Sequence, residues 1–379
     1  MKTLLSNLFQ KTFNAQAEVW VQAPTRINLI GEHTDYNGGL VLPAAINHYI
    51  SFAARKTSSE FANIVDYNTK KSVAIELEGA LDLDKLSAWQ KYYYGAIKLL
   101  MQKYKIGGFQ ILKYGQVPVG AGVSSSAALC CGLIYTISEL YELGISREKI
   151  AKLAQQVEHD YLGLHCGIMD QYAVMFGQKD SFLELDCSSL KLKQHPVNLG
   201  AYQLVLCNTM VKHSLAGSAY NDRVEEVELA LSILKVQNVF YSYASEVRES
   251  DLLLIQDDVL RDRVAHVIEE NSRVEEMVLA MQEARYETMG KLLSASHASL
   301  RDQYQVSCKE SDFLAEHLEA AGALGARQMG GGFGGCLLFL VEKTKLEALK
   351  SEVEKAYAKV FHKIPEFYDL AIVDGVNTL

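Results

Sequence analysis

Five of the six residues in Gly330-Gly-Gly-Phe-Gly-Gly335 are glycine, and this run limits what the chain can fold into more than any other. Glycine loses the most backbone freedom on folding, so such a run suits places where the chain takes positive φ or passes close to something. The run satisfies G-x-G-x-x-G, but the residues after it, Cys336–Val341, have the character of a strand. A dinucleotide-binding βαβ unit needs a helix there, so that reading fails on context. No G-x-x-x-x-G-K-[ST] occurs either, which excludes a Walker loop. What remains is a glycine loop ending at a strand, with backbone amides able to cradle an anion.

A second such device is Val117-Pro-Val-Gly-Ala-Gly-Val-Ser-Ser-Ser-Ala-Ala128. It follows a strand candidate, Phe109–Tyr114, and precedes a helical pattern with Leu129, Leu133, Ile137 and Leu140 on one side, ending at Gly144. Gly120 and Gly122 permit a tight turn and close approach of a ligand. Ser124, Ser125 and Ser126 open the helix, where orphan amides and the positive dipole end welcome phosphate. Their hydroxyls can also ligate Mg²⁺. A turn before a serine-capped helix looks the same, so phosphate binding is not assigned by this segment alone. The third segment, Arg26-Ile-Asn-Leu-Ile-Gly-Glu-His-Thr-Asp-Tyr36, sets Arg26, Glu32, His33 and Asp35 within ten residues. That mixture of donors and acceptors suits a polyhydroxyl ligand, while a solvated loop with surface ion pairs is the plain alternative. H-E-x-x-H spacing is absent, which argues against a metal held by Glu32 and His33.

At 379 residues the chain exceeds the ~250–300 at which a single core stops growing, so two domains are expected. The boundary falls in the turn Asp186–Ser189, giving 1–189 and 190–379. Strands are predicted at Val19–Ala23, Ile50–Ala54, Val73–Leu77, Phe182–Leu185, Leu204–Cys207 and Leu370–Val373. Helices are predicted at Arg147–Tyr161, capped by Ser146, at Asp222–Val236 and Ser311–Ala321, and at Lys345–Tyr357, capped by Thr344. Strands and helices without strict alternation argue α+β. The net charge of −9 argues against broad binding to nucleic acid or anionic membranes. No apolar run approaches the ~18 residues of a membrane span. Seven scattered cysteines suggest thiols in a reducing compartment, and the first ten residues lack the pattern of a signal peptide; a cytoplasmic location is expected.

Together the three segments resemble the GHMP small-molecule kinases, and within them the members that phosphorylate galactose. Cys166-Gly-Ile-Met-Asp-Gln171, Lys212-His-Ser-Leu215 and Ser299-Leu-Arg-Asp302 extend the resemblance over nearly the whole chain. It implies a GHMP kinase fold, with an N-terminal domain like ribosomal protein S5 domain 2 and a ferredoxin-like C-terminal domain. The implied reaction moves the γ-phosphoryl of MgATP to the C1 hydroxyl of α-D-galactose, with small-molecule partners only and a monomer or weak oligomer. Asp170 and Arg26 match the catalytic pair. Glu32, His33, Asp35, Gly167, Asp170 and Tyr220 match sugar contacts. Trp89 matches an adenine contact; Gly120, Gly122, Ser124, Ser125 and Ser126 match the phosphate loop; Ser126 with Glu158 matches the Mg²⁺ pair.

Three positions depart from the family pattern: Thr25 stands for glycine, Met329 for threonine, and His165 for proline or asparagine. They bear on selectivity more than on the catalytic pair. The remaining alternatives are a kinase of a related sugar (N-acetylgalactosamine, arabinose or galacturonate) and a galactose- and ATP-binding sensor without catalysis. Asn37-Gly-Gly39 and the complete Ser124-Ser-Ser-Ala-Ala128 favour galactose phosphorylation.

Overall fold

The apolar period-two residues that predict strands in the first half assemble one sheet. The computed structural model describes residues 1–79, 82–115, 117, 122–212 and 216–379. Its six-stranded sheet runs in the order Asn377–Thr378, Val19–Asn28, Pro43–Lys56, Phe109–Tyr114, Phe61–Asp66, Ser72–Glu76. Phe61–Asp66 lies parallel to Phe109–Tyr114, and the other pairings are antiparallel. Helices Ala88–Met101, Ser125–Tyr141, Arg147–Leu162 and Met169–Phe176 cover the sheet, and Phe52, Ile111, Leu133, Ile137 and Val157 are fully buried between the layers. Ser146 caps its helix as expected, its hydroxyl accepting the Lys149 amide at 3.3 Å.

The second half is built on a four-stranded antiparallel sheet ordered Gly325–Gln328, Gly334–Glu342, Tyr202–Lys212, Glu366–Asp369. Helices Lys309–Ala320 and Leu346–Phe361 pack on one face over Leu314, Phe339, Val353 and Tyr357. The other face meets the first half. Ile27, Leu29 and Ile30 of the Arg26 segment pack with Val274, Met277, Leu293, Leu338 and Leu340. The long helices Asp258–Gln282 and Tyr286–Asp302 flank that seam. Among the described residues no helix is long and apolar enough to cross a membrane.

Three local expectations are corrected. Leu370–Val373 is not a strand: the edge strand is Glu366–Asp369, and the chain then crosses back, making a single bridge at Ile46–Ile372 before pairing with the first strand. Thr344 does not cap the last helix, because Lys343–Lys345 forms a separate 3₁₀ turn and the Thr344 hydroxyl donates to Glu342. The helix after the serine run stops at Tyr141, where Glu142 rather than Gly144 is the first left-handed residue. Helix Lys2–Phe13, unforeseen in the sequence, docks through Leu5 and Phe9, one turn apart.

Candidate active site

A register shift between Pro24 and Thr25 interrupts the pairing of the first strand just before Arg26. Thr25 sits there in extended backbone and is fully buried, so the family glycine is not needed for positive φ. The Arg26 amide donates to the Val123 carbonyl at 3.2 Å, tying this strand to the turn ahead of the serine helix. Its guanidinium donates from Nε to Asp170 Oδ1 at 2.6 Å and from Nη1 to the Gly122 carbonyl at 2.5 Å. Asp170 occupies the first turn of Met169–Phe176, where the helix dipole favours a carboxylate. Its other oxygen, Oδ2, accepts from the Ser124 hydroxyl. Arg26 is buried, whereas the Asp170 side chain keeps 26% of its surface open.

The loop after the first strand forms one wall. His33 is held at φ +62° and is buried. Its Nδ1 pairs with the Tyr36 hydroxyl at 2.8 Å, leaving Nε2 without a hydrogen-bond partner among the described residues. The rings of Tyr36, Tyr220 and Tyr304 surround it, with centroids 5.9, 5.5 and 4.8 Å away. Burial first, then the electrostatic effects of His266 and of the Arg223 guanidinium, push its pKa down to about 3, so the imidazole is neutral. Burial, and then the charges of Asp170 and Glu32, push Asp35 up to about 7. Gly167 lies directly against that carboxylate: a methyl group there would collide with Asp35. His33, Asp35, Gly167, Asp170 and Tyr220 therefore come together as the sequence implied. Glu32 lies close enough to act on Asp35, but one of its oxygens is engaged. Its Oε1 accepts the Gly330 amide at 2.9 Å and lies 3.0 Å from Arg327 Nη1.

The opposite wall joins the two glycine segments. Gly122 has φ +70° and Gly330 φ +75°, and a methyl added to Gly330 would lie 3.2 Å from the Gly122 carbonyl. Side chains at either position would strain the backbone and crowd the facing carbonyl. Ser124 is left-handed, so the helix proper begins at Ser125, whose side chain is exposed. The Ser126 hydroxyl is within hydrogen-bonding reach of Tyr92 and Glu158. Trp89 stands half-buried at the start of Ala88–Met101, edge-on to Tyr93 at 5.0 Å. Gly120 lies outside the described residues, as do 213–215.

Glu158 is a buried carboxylate pushed up to about 7, chiefly by burial with Asp170 adding to it. It accepts from Gln171 Nε2 at 2.6 Å. With Ser126 it offers an oxygen-only donor set beside the phosphate loop, and a buried carboxylate of raised pKa gains most from a neighbouring cation. These residues fit Mg²⁺ completed by phosphate oxygens and water. Among the described residues no group of three or more His, Cys, Asp or Glu forms a metal cage. Of the departures, His165 is exposed and stacks on His159, while Met329 is buried with its carbonyl toward Gly122.

Some residues that shape the site were missed in the sequence: Arg327, Tyr304, His266 and Glu270. Four polar residues at helical spacing, Arg263, His266, Glu270 and Arg273, interleave with buried Val264, Val267 and Val274 on Asp258–Gln282. A polar stripe inside an apolar face is the signal that could have found the two on this helix.

Family models match three stretches of the chain: the galactokinase galactose-binding signature at 7–56, the GHMP kinase N-terminal domain at 91–178 and the GHMP kinase C-terminal domain at 277–359. Among curated relatives, galactokinases of Clostridium tetani and Thermotoga neapolitana are each 40% identical. The first alignment covers 93% of this chain and 91% of the relative, the second 95% and 99%. The solved Lactococcus lactis galactokinase complexed with galactose superposes with a TM-score of 0.93 at 34% identity over the whole of both chains. A mevalonate kinase matches with a TM-score of 0.67 at 19% identity, a likeness of fold.

Proposed function

Because the chain belongs to the galactokinase family of the GHMP kinases, we propose that it transfers the γ-phosphoryl of ATP to the C1 hydroxyl of α-D-galactose, giving galactose 1-phosphate and ADP. One observation carries the assignment of roles: Arg26 Nε lies 2.6 Å from Asp170 Oδ1, 144 positions away in sequence, between the glycine segments and the His33 wall.

Phosphoryl transfer has a loose transition state with charge spread over the moving group, so positioning and positive charge outweigh covalent chemistry. Asp170 holds or takes the proton of the C1 hydroxyl, and Arg26 faces the charge that develops on the phosphoryl. Neutral His33, Asp35, Tyr220 and the backbone of Gly167 read the remaining hydroxyls, joined by Glu32 through the carboxylate oxygen left free of Arg327. Gly120, Gly122, Ser125 and the first amides of its helix hold the phosphates, with Ser124 steadying Asp170, and Trp89 faces the adenine. Mg²⁺, held by Ser126, Glu158 and the phosphates, would neutralise phosphate charge when bound. On this reading galactose and ATP meet in a cleft between domains 1–189 and 190–379, and a cytoplasmic monomer or weak oligomer suits substrates of this kind.

A coupled ADP assay with MgATP and a panel of galactose, N-acetylgalactosamine, arabinose and galacturonate tests the reading. Galactose is expected to turn over fastest, with the phosphate on C1 by ³¹P NMR. Binding of galactose without ADP release would replace the kinase with a sensor.

A further inference from the structure

Three consecutive residues, Gly31, Glu32 and His33, turn the signature strand into the sugar wall through unusual backbone. Gly31 has φ +95° and His33 φ +62°. A left-handed histidine is strained and persists only where its surroundings hold it. The holding groups come from elsewhere in the molecule. Glu270, fully buried, accepts at Oε1 from the Gly31 amide (3.0 Å), the Glu32 amide (3.2 Å) and the Ser296 hydroxyl (2.7 Å). Its Oε2 accepts from Arg273 Nε at 2.6 Å. His266 Nε2 lies 3.1 Å from the Glu32 carbonyl, which can only accept, so this nitrogen carries the proton. Nδ1 lies 2.7 Å from the Ser299 hydroxyl, which itself donates to Gln303 Oε1. Asn37 Nδ2 donates to the His33 carbonyl at 2.7 Å.

We propose that Glu270, assisted by His266, is a positioning residue for the sugar site: it clamps the Gly31–His33 backbone from the C-terminal half and so aims the unpartnered Nε2 of His33 at the substrate. This rests on the galactose reading above, and it concerns residues that touch no substrate. The carboxylate is kept ionised for the task. Burial by itself would raise its pKa, but Arg273, His266 and Arg327 outweigh that and hold it at about 2. A charged acceptor makes the stronger amide bonds, and the geometry spends one oxygen on two consecutive backbone donors.

Glu270→Leu removes both acceptors at similar volume, and Glu270→Gln keeps one oxygen for the amides while losing the charge. For Glu270→Leu the galactose KM should rise at least about tenfold, the cost expected for stranding buried amides, with the ATP KM changed less than about twofold. Glu270→Gln should fall between it and the unaltered chain. Hydrogen exchange at the Gly31 and Glu32 amides should quicken locally in both variants, without sugar present. Equal increases in both KM values, or exchange quickened across the whole C-terminal half alike, would assign Glu270 to general stability and overturn the proposal. If Glu270→Leu does not fold, Glu270→Gln decides: an unmoved galactose KM with unmoved local exchange sinks the clamp. Failure of the unaltered chain to phosphorylate galactose would sink the functional reading instead, leaving the exchange result to judge the clamp on its own.

Discussion

Replacing Asp170 by asparagine tests the catalytic pair with little change in shape. In the native site each carboxylate oxygen has a donor, Arg26 Nε on Oδ1 and the Ser124 hydroxyl on Oδ2. Asparagine has one acceptor oxygen. It must turn that oxygen to Arg26, because the guanidinium has only donors, and present its NH₂ to Ser124, whose hydroxyl can rotate and accept. Both contacts therefore survive in geometry while the negative charge and the proton-accepting oxygen disappear. Arg26, with 4% of its side chain exposed, then keeps the asparagine oxygen and the Gly122 carbonyl but loses its paired carboxylate. Breaking a fully buried pair costs ~3–5 kcal/mol, and the open edge of Asp170 reduces this to about 1–3 kcal/mol of folding stability. The rate loss should be larger: kcat should fall ~10²–10⁴-fold, or ~2.7–5.4 kcal/mol of barrier, with only a modest rise in the KM for ATP. The coupled ADP assay at saturating galactose, with a thermal melt of the same sample, separates the two effects. A folded Asp170→Asn variant turning over within about tenfold of the unaltered enzyme would refute the pairing of Asp170 with the reacting oxygen.

Arg26→Ala should lower kcat by at least ~10²-fold, since a charge-stabilising donor is lost; a raised KM with kcat unchanged would make Arg26 a ground-state contact only. Glu158→Gln should raise the Mg²⁺ needed for half-maximal rate ~10–100-fold. The unaltered enzyme should itself need more Mg²⁺ as pH drops below about 7, where Glu158 takes up a proton, and Mg²⁺ titrations at pH 6 and 8 should show that dependence vanish in the variant. Asp35 titrates at about 7 when folded and near 3.8 when unfolded. The unfolded chain releases this proton first, so its contribution to stability declines as pH climbs from about 4 to 7, by a ceiling of ~4 kcal/mol. The melting temperature of Asp35→Asn relative to the native protein should therefore climb across that window, and a flat or falling difference would count against the buried carboxyl.

Local signals carried far in this chain. Phe109–Tyr114, the Ser146 cap and the strand after the glycine run are set by residues within a few positions of themselves, and they form as read. The failures have a common cause. Leu370–Val373 is apolar enough for a strand, but its pairing is confined to the bridge at Ile46–Ile372 and the two backbone bonds beside it, Asn47 amide to Ala371 carbonyl and Val373 amide to Ala45 carbonyl. Thr344 is a good cap residue, yet a 3₁₀ turn intervenes before the last helix starts. At the site, the family resemblance collected His33, Asp35, Gly167, Asp170 and Tyr220, which the structure brings together. The resemblance gave no hint that Ser124 bonds Asp170, or that Glu32 binds Arg327 and the Gly330 amide.

The one-dimensional pattern determined where the glycine segments stand and argued against a doubly wound sheet, because residue type and short-range spacing govern turns, caps and hydrophobic faces; the candidate site residues came from the family resemblance. Only the tertiary structure decided which partner each charge answers to. Arg26 meets a carboxylate on a distant helix, and Glu270 reaches back 239 positions to the Gly31 amide. Burial then shifts His33 to about 3 and Asp35 and Glu158 to about 7. Desolvation and pairing depend on what lies within a few ångströms, and that neighbourhood exists only once the two halves close on each other.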